Sequence, residues 1–567
     1  MRIVLVNWAK IWDGASNGGG VNGYCQALAL ALRARGHDVI SLFGGTTHLP
    51  PANSPPPCEI RRHEDWLGIR VYEVINSPVL APSIRQFQEP MAEVSAPALE
   101  EQVGRFFEIV RPDVVHWHNI EGFSIGCVER ARRAGARVIF SLHNYHTICP
   151  QVYLMRGHRI PCTDSEGGHR CATCIETRPV AEHRAEMVEG YVKLAASSGP
   201  TVAQAAADFR AALRGLGPVW RAGGRLVKAT IRGRLAGSRS AAAIAPPGHA
   251  LTGNGTRDAP LPPAGADTRG QTQAVLADLN RQPPPDFDNA PEYRPILNIV
   301  EPEPLCSRPL NDYGRRRAAM IDMLNGCDRV LAVSEFVRRK FESLGVKPEV
   351  IRTLHIGSRI NRLADHHHRL IFDPPPFTDE PWDRQRPIRV VFMGYNHYYK
   401  GLGMFAESLD MLEARHLGRI DLSVYALDGQ SIEWMFRRME PRLARLTFAC
   451  GYRYEDIPWM LGGKDLGVVP SVWWDNAPQT VFEFMACRVP VLGAEVGGIP
   501  DFVRDGENGL LFRGNDRRHL AQRLVEVIEN PRILNDLRAR VRRPKDIETH
   551  AVELEGVYGG AVASVNP

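Results

Sequence analysis

Between Pro470 and Leu492 the chain reads PSVWWDNAPQTVFEFMACRVPVL. Asp475 ends an apolar run, and Glu483, eight residues on, sits inside an apolar helical pattern. Pro478 is placed as a first-turn residue, so the spacing predicts a helix that begins between the two carboxylates. A helix start offers backbone N–H groups without intrahelical partners and is a ready anion site. Carboxylates on either side of it could grip hydroxyls while the amides hold phosphate, a pairing that suits a sugar nucleotide. A lone D-x7-E reads as a capping Asp and a solvent-facing Glu; the surroundings decide here.

Other residues could share that chemistry. Lys400 lies in a loop next to Gly401, after the apolar run RVVFMG, and is the best candidate cation for a phosphate. Gly18, Gly19 and Gly20 form a loop whose backbone could approach a ligand closely, because only glycine tolerates the tight conformations such loops need. The amides of Gln479, Thr480 and Val481 stand at the predicted helix start, with Asn476 just before it. Farther along the chain, Cys149, Cys162, Cys171 and Cys174 include one C-x-x-C pair. Four thiolates could close a tetrahedral structural zinc site. With no second C-x-x-C, reduced cysteines in a packed loop or a redox-labile pair are the alternatives.

The elements that must hold these residues follow from hydrophobic periodicity. Short β-branched runs (RIVLVNW, DVISLF, DVVHWH, RVIFSLH) alternate with longer amphipathic stretches such as 21–35, 98–110 and 124–134. The alternation restarts near Ile388 with RVVFMG, IDLSVYAL, LTFAC, LGVVPS and VPVLGA. Two such series imply two Rossmann-like domains with parallel sheets and a cleft between them. Ligands in such sheets bind outside the strand C-terminal ends, where the residues named above fall. The first domain spans 1–361, an extended proline-rich hinge 362–387, the second domain 388–545 and a tail 546–567.

Residues 151–325 interrupt the first domain in three parts: the cysteines, a basic amphipathic stretch at about 205–240, and a low-complexity loop at about 241–295 rich in Ala, Pro, Gly, Asn and Asp. On a helical wheel Leu213, Leu216, Trp220, Val227, Ile231 and Leu235 share a face beside Arg214, Arg221, Arg225, Lys228 and Arg232. That is the pattern of a helix lying on anionic lipid, although Gly217-Pro218 and Gly223-Gly224 break a single helix. A solvated basic segment is the alternative.

Composition bounds the rest. The chain has 567 residues, 44% of them apolar, enough for large cores. A net charge of +5 over that length does not suggest nucleic acid, which demands a concentrated basic face. No window has the long uncharged apolar run of a membrane span, and residues 2–7 read as a first strand and not a signal peptide. The expectation is a cytosolic chain whose eleven cysteines are reduced.

Taken in order along the chain, these motifs resemble the family 4 retaining glycosyltransferases. Pro470, Ser471, Glu483, Ala486, Pro490 and Val491 fit the family's donor signature, with Asp475 in place of its first Glu, Phe484 in place of an Ala and Arg488 in place of a Gly. GGIPDFVRDGENGLLF (497–512), VVFMGYNHYYKGL (390–402), GGGVNGYCQALALALRARGHDVISL (18–42), RPDVVHWHN (111–119), VIFSLHNYHTICP (138–150) and VLAVSEFVRRKFESLGV (330–346) also fit. Tyr395 stands where the family usually has a phosphate-binding Arg.

The resemblance implies a GT-B fold, two facing Rossmann-like domains, and transfer of a sugar from a nucleoside diphosphate donor with retention of configuration. It implies that Glu483 accepts hydrogen bonds from the ribose, that Asp475 contacts the transferred sugar from one methylene farther back, and that His143 lies near that sugar. Lys400, Gly401 and the helix-start amides would hold the diphosphate. Arg453 is the candidate to compensate for Tyr395, whose neutral phenol is a weaker donor than a charged group. The implied attack is front-face, with the leaving phosphate taking the acceptor's proton and no metal required for catalysis. The acceptor would be a glycan, lipid-linked if the basic stretch holds the protein at the inner membrane face. A sugar-nucleotide epimerase or phosphorylase on the same fold, and an inactive sugar-nucleotide-binding protein, remain as alternatives.

Overall fold

The computed structural model describes residues 1–50, 57–198 and 294–560. The basic stretch at 205–240 and almost all of 241–295 lie outside the described residues. In chain order the first half supplies β1 (Arg2–Val6), β2 (Asp38–Thr47), β3 (Glu59–Arg62), β4 (Arg70–Ile75), β5 (Val114–Trp117), β6 (Arg137–Leu142), β7 (Met155–Arg156), β8 (Ile160–Pro161), β9 (Arg329–Ala332) and β10 (Ile351–Thr353). Eight of these form one sheet in the order β10-β9-β6-β5-β1-β2-β4-β3. Its pairs are parallel except the edge pair β3–β4. The run RIVLV of β1 is buried almost end to end, as a strand covered by helices on both faces must be.

The second half supplies β11 (Ile388–Tyr395), β12 (Ile420–Leu427), β13 (Arg445–Ala449), β14 (Leu466–Val469), β15 (Val491–Glu495) and β16 (Gly509–Arg513). They form a wholly parallel sheet in the order β13-β12-β11-β14-β15-β16. Strand order reverses between β11 and β14 here, and between β1 and β5 in the first sheet. Such reversals leave a crevice beyond the strand ends where the flanking loops part.

Two boundaries differ from expectation. The stretch read as a tail contains helix Ile547–Tyr558, which packs back on the first domain. Its Ile547, Ala551, Leu554 and Tyr558 fall on one buried face, a period that is easily missed at the end of a chain. Tyr24 and His550 meet at 2.7 Å, and Arg35 pairs with Glu555 at 2.6 Å. The stretch read as a hinge is strapped to the second domain. Arg386 lies 4.0 Å over the Phe377 ring and pairs with the buried Asp465 at 2.6 Å, and the Gly463 amide donates to the Phe372 carbonyl at 2.9 Å. In the 151–325 stretch, helix Asp312–Asn325 also packs on the first domain, and its Arg316 is fully buried against Glu93.

Candidate functional site

The charged half of the site stands at the reversal of the second sheet. After β11 the chain makes one tight turn, Tyr398–Lys400, and Gly401 follows in the left-handed region at φ 69°. A Cβ on Gly401 would lie 1.7 Å from the Pro470 carbonyl oxygen, so this loop and the one after β14 can meet only through a glycine. The Val472 amide donates to the Tyr399 carbonyl at 3.0 Å and ties the loops together. Lys400 Nζ then reaches Asp475 Oδ2 at 2.8 Å, and Ser471 Oγ donates to the same oxygen at 3.3 Å. Asp475 is buried and its backbone is pinned from both sides, by Trp473 and by the Gly498 amide.

Helix Gln479–Ala486 begins where the sequence places it, although Pro478 is the N-cap and not a first-turn residue. No side chain caps it. The Val481 amide donates to the Pro478 carbonyl at 3.1 Å and is therefore used within the turn, unlike the donor role expected of it. Gln479 and Thr480 precede any intrahelical acceptor, so their amides are the ones that can face an anion. Asn476 is buried, and both polar atoms of its side chain lack a partner. Glu483 is half-buried; burial pushes its carboxyl up to about 7, against the pull of Arg359 and Lys400.

Arg359 is the cation that sequence reasoning missed. Its guanidinium lies 4.2 Å over the Tyr454 ring and its Nη1 donates to Gln26 Oε1 at 3.2 Å, so it links the two domains beside Glu483. Nothing in the segment IGSRI marks it in advance. Arg453, named to make up for Tyr395, is 78% exposed and pairs with Asp456 at 3.0 Å, away from that role. Tyr395 is 43% exposed and its hydroxyl donates to the Ala15 carbonyl of the first domain at 3.4 Å.

The other half of the site stands at the reversal of the first sheet. Gly18, at φ 85°, turns the chain into helix Gly19–Ala34. The loop before it is organised by the fully buried Asn22, whose amide nitrogen lies 2.7, 2.8 and 2.9 Å from the carbonyl oxygens of Lys10, Gly14 and Asn17. A Cβ on Gly20 would stand 3.4 Å from Gln479 Cγ. Gly19 and Gly20, expected in a loop, are the first residues of this helix, so the helix start of one domain faces the helix start of the other. Tyr145 Oη, donating to the Trp474 carbonyl at 2.9 Å, is a further link.

His143, half-buried at the end of β6, bonds His118 through Nε2–Nδ1 at 3.1 Å. His116 lies behind them, bonded to Tyr558 at 2.7 Å and Ser141 at 2.8 Å. Burial first, and then neighbouring imidazoles, hold His116, His118 and His143 below the ordinary histidine value, so all three are neutral near pH 7. His118 Nε2 is buried without a partner. An unmatched acceptor nitrogen is a smaller defect than an orphaned N–H, so the His118 proton sits on Nδ1 and is donated to His143. That leaves the His143 proton on Nδ1.

Cys149, Cys162, Cys171 and Cys174 all line one small cavity of the first domain and form no disulfide. Among the described residues, these four cysteines included, no group of three or more His, Cys, Asp or Glu side chains is placed so that it could hold a metal ion. None of the described helices is long and apolar enough to cross a membrane.

Residues 19–172 match the family model described as a glycosyl transferase 4-like domain, and residues 387–530 the model described as glycosyl transferases group 1. Together they cover about half of the chain. A putative colanic acid biosynthesis glycosyltransferase, WcaL, of Salmonella typhimurium is 25% identical over 217 residues, 35% of this chain and 47% of its own length. A D-inositol 3-phosphate glycosyltransferase of Thermobifida fusca is 46% identical over 95 residues, 17% of this chain and 20% of its own. The chain thus spans less than half the length of these relatives. Sucrose-phosphate synthase from Thermosynechococcus elongatus superposes with a TM-score of 0.51 at 14% identity, over 99% of this chain and 98% of its own, and shares the fold.

Proposed function

The chain belongs to the family 4 glycosyltransferases and has their GT-B fold, and on that premise we propose that it moves a sugar from a nucleoside diphosphate sugar to a glycan acceptor with retention of configuration. The observation that carries this is the facing of two unlike half-sites. Gly20 of the first domain stands against Gln479, at the start of the helix that carries Glu483, and Lys400 pairs with Asp475; in this reading His143 stands on the facing side. Breaking the anomeric bond puts negative charge on the leaving diphosphate, so fixed cations and amide dipoles there lower the barrier.

In this reading Lys400 and the two amides hold the diphosphate. The Lys400–Asp475 pair is preformed, so Asp475 keeps the ammonium aimed at the phosphate site; its remaining oxygen is the one left for a sugar hydroxyl. Glu483 accepts from the ribose hydroxyls when ionised, with Arg359 as the second cation of the cleft. His143 offers its Nδ1–H to the sugar from a neutral ring, which adds a donor without a charge that would compete for the phosphate. The acceptor hydroxyl attacks from the leaving-group side and its proton passes to the departing phosphate oxygen.

The name of the Salmonella typhimurium relative supports a place in surface polysaccharide synthesis. The basic stretch at 205–240 supports a lipid-linked acceptor at a membrane face, each Lys or Arg near an anionic surface contributing about 1 kcal/mol. A panel of nucleotide sugars, scored for saturable binding and diphosphate release, tests the activity. If no donor binds saturably, the proposal fails. Sedimentation with anionic and neutral vesicles tests the membrane contact; protein that stays in the supernatant with both rejects it.

A further inference from the structure

The stretch from Cys149 to Cys174 has almost no regular structure: the two-residue strands β7 and β8 and one 3-10 turn, Cys171–Thr173. It also holds Val152, Leu154, His158 and Glu166 in the left-handed region, an uncommon conformation for side chains of that kind. Such a stretch persists only where something over-determines it. Yet it is the wall that meets the donor loop. The Tyr153 ring stacks on Tyr399 at 4.1 Å between centroids, and Gln151 Nε2 donates to Tyr399 Oη at 3.2 Å, one residue from Lys400.

What could fix it is the cysteine cluster. Cys149 follows β6 on a turn, Cys162 follows the β7–β8 hairpin, and Cys171 and Cys174 share the 3-10 turn. All four line the same cavity, whose volume of about 10 Å³ is room for one water-sized body. Their own bonds are poor. The Cys149, Cys162 and Cys174 sulfurs find acceptors only at 3.9, 3.7 and 4.0 Å. The Gly157 amide, in contrast, points at Cys174 Sγ at 3.4 Å and works against the burial that raises this thiol.

The charge around the cavity is lopsided in the matching sense. Arg156, Arg170 and Arg317 line it. The buried Lys340 is close enough to Cys162 and Arg317 to interact with both. Glu303 pairs with Arg317 at 2.7 Å, and Asp164 and Glu166 pair with Arg170. Four thiolates on one divalent ion carry a net charge of −2, and this surplus of one cation offsets half of it.

We propose that Cys149, Cys162, Cys171 and Cys174 bind one structural zinc ion that clips this wall in place against the donor loop. Zn–S bonds of about 2.3 Å require the four sulfurs to turn inward from their present positions onto the cavity. On binding, each thiol loses its proton to solvent and the ion keeps its oxidation state, so no oxidant or reductant is needed. The inference is independent of the proposed transfer activity.

The full chain, purified under reducing conditions without affinity metals and resupplied with zinc before desalting, should carry about one zinc per chain by elemental analysis. Titration of the folded wild type with a mercurial and a zinc indicator should release that zinc as the thiols are modified. Cys171→Ser/Cys174→Ser should drop zinc at least tenfold, while Cys450→Ser, in the second domain, keeps it. If the double variant does not fold, the wild-type titration still decides. Protein that retains no zinc, iron in its place, zinc undiminished in the folded double variant, or zinc released without thiol modification would each overturn the assignment.

Discussion

The two halves of the cleft solve opposite electrostatic problems. The second domain gathers charge, Lys400 against Asp475 with Glu483 nearby, and Arg359 reaches it from the edge of the first domain. The first domain removes it: a glycine loop held by a buried amide, and three imidazoles kept neutral by burial. The contrast fits a reaction in which charge develops on one side of a breaking bond and neutral hydroxyls must be handled on the other. A half-site full of cations on the sugar side would compete for the diphosphate. Division of labour between the domains is therefore the property to test.

The largest effect is expected on the charged side. Lys400→Ala should lower kcat by on the order of 10²–10³, the usual cost of removing one fixed donor at a developing oxyanion. Steady-state diphosphate release measures it, and near-normal turnover would remove Lys400 from the site. Glu483→Ala comes next, raising KM for the donor by about 10–10², the worth of hydrogen bonds to a charged acceptor.

The same residue gives a pH signature. Its carboxyl is raised in the folded protein to about 7, so it is half ionised there and donor KM should fall as pH rises from 6 to 8. Because the folded value lies above the unfolded one, the protonated form favours the fold, and that stability is lost as pH rises through about 7. Glu483→Gln should flatten both profiles and raise Tm over wild type more at pH 8 than at pH 5. A wild-type Tm that does not fall relative to Glu483→Gln over this range would contradict the burial argument.

Much of this was legible in the sequence, for identifiable reasons. The two series of β-branched runs revealed both sheets because parallel strands buried on both faces read as continuous apolar runs. Asp475, Glu483 and the glycines were visible because helix starts and tight turns restrict residue type. Arg359 was not, since its place beside Glu483 depends on how the domains meet, and an isolated Arg after a strand has no local mark. Arg453 looked equivalent in sequence but is spent on Asp456, three residues away. Asn22 was hidden in a helical pattern, where a polar residue ordinarily faces solvent. Helix Ile547–Tyr558 was passed over as a tail because its partners, Tyr24 and His116, lie hundreds of residues earlier.

The neutral side should show smaller effects. Asn22→Ala removes the amide donor that three loop carbonyls share, and a loss of about 1–3 kcal/mol in loop order should appear as raised KM with the fold intact by circular dichroism. An unchanged KM would separate the loop from the donor. Smallest is Tyr558→Phe, which removes one buried hydrogen bond to His116; about 1 kcal/mol corresponds to a Tm shift of a few degrees or less in a chain of this size. Activity below Tm should be unaltered, and a large loss would show that the C-terminal helix reaches the chemistry through His116.

The division of labour is tested most directly by calorimetric titration of the sugar-free nucleoside diphosphate into wild type, Lys400→Ala and His143→Ala. The account predicts that Lys400→Ala weakens binding at least about tenfold, the loss of one charge-assisted bond. It predicts that His143→Ala stays within about twofold of wild type while its transfer rate falls on the order of 10². Equal affinity in Lys400→Ala and wild type, or a loss in His143→Ala as large as in Lys400→Ala, would contradict it.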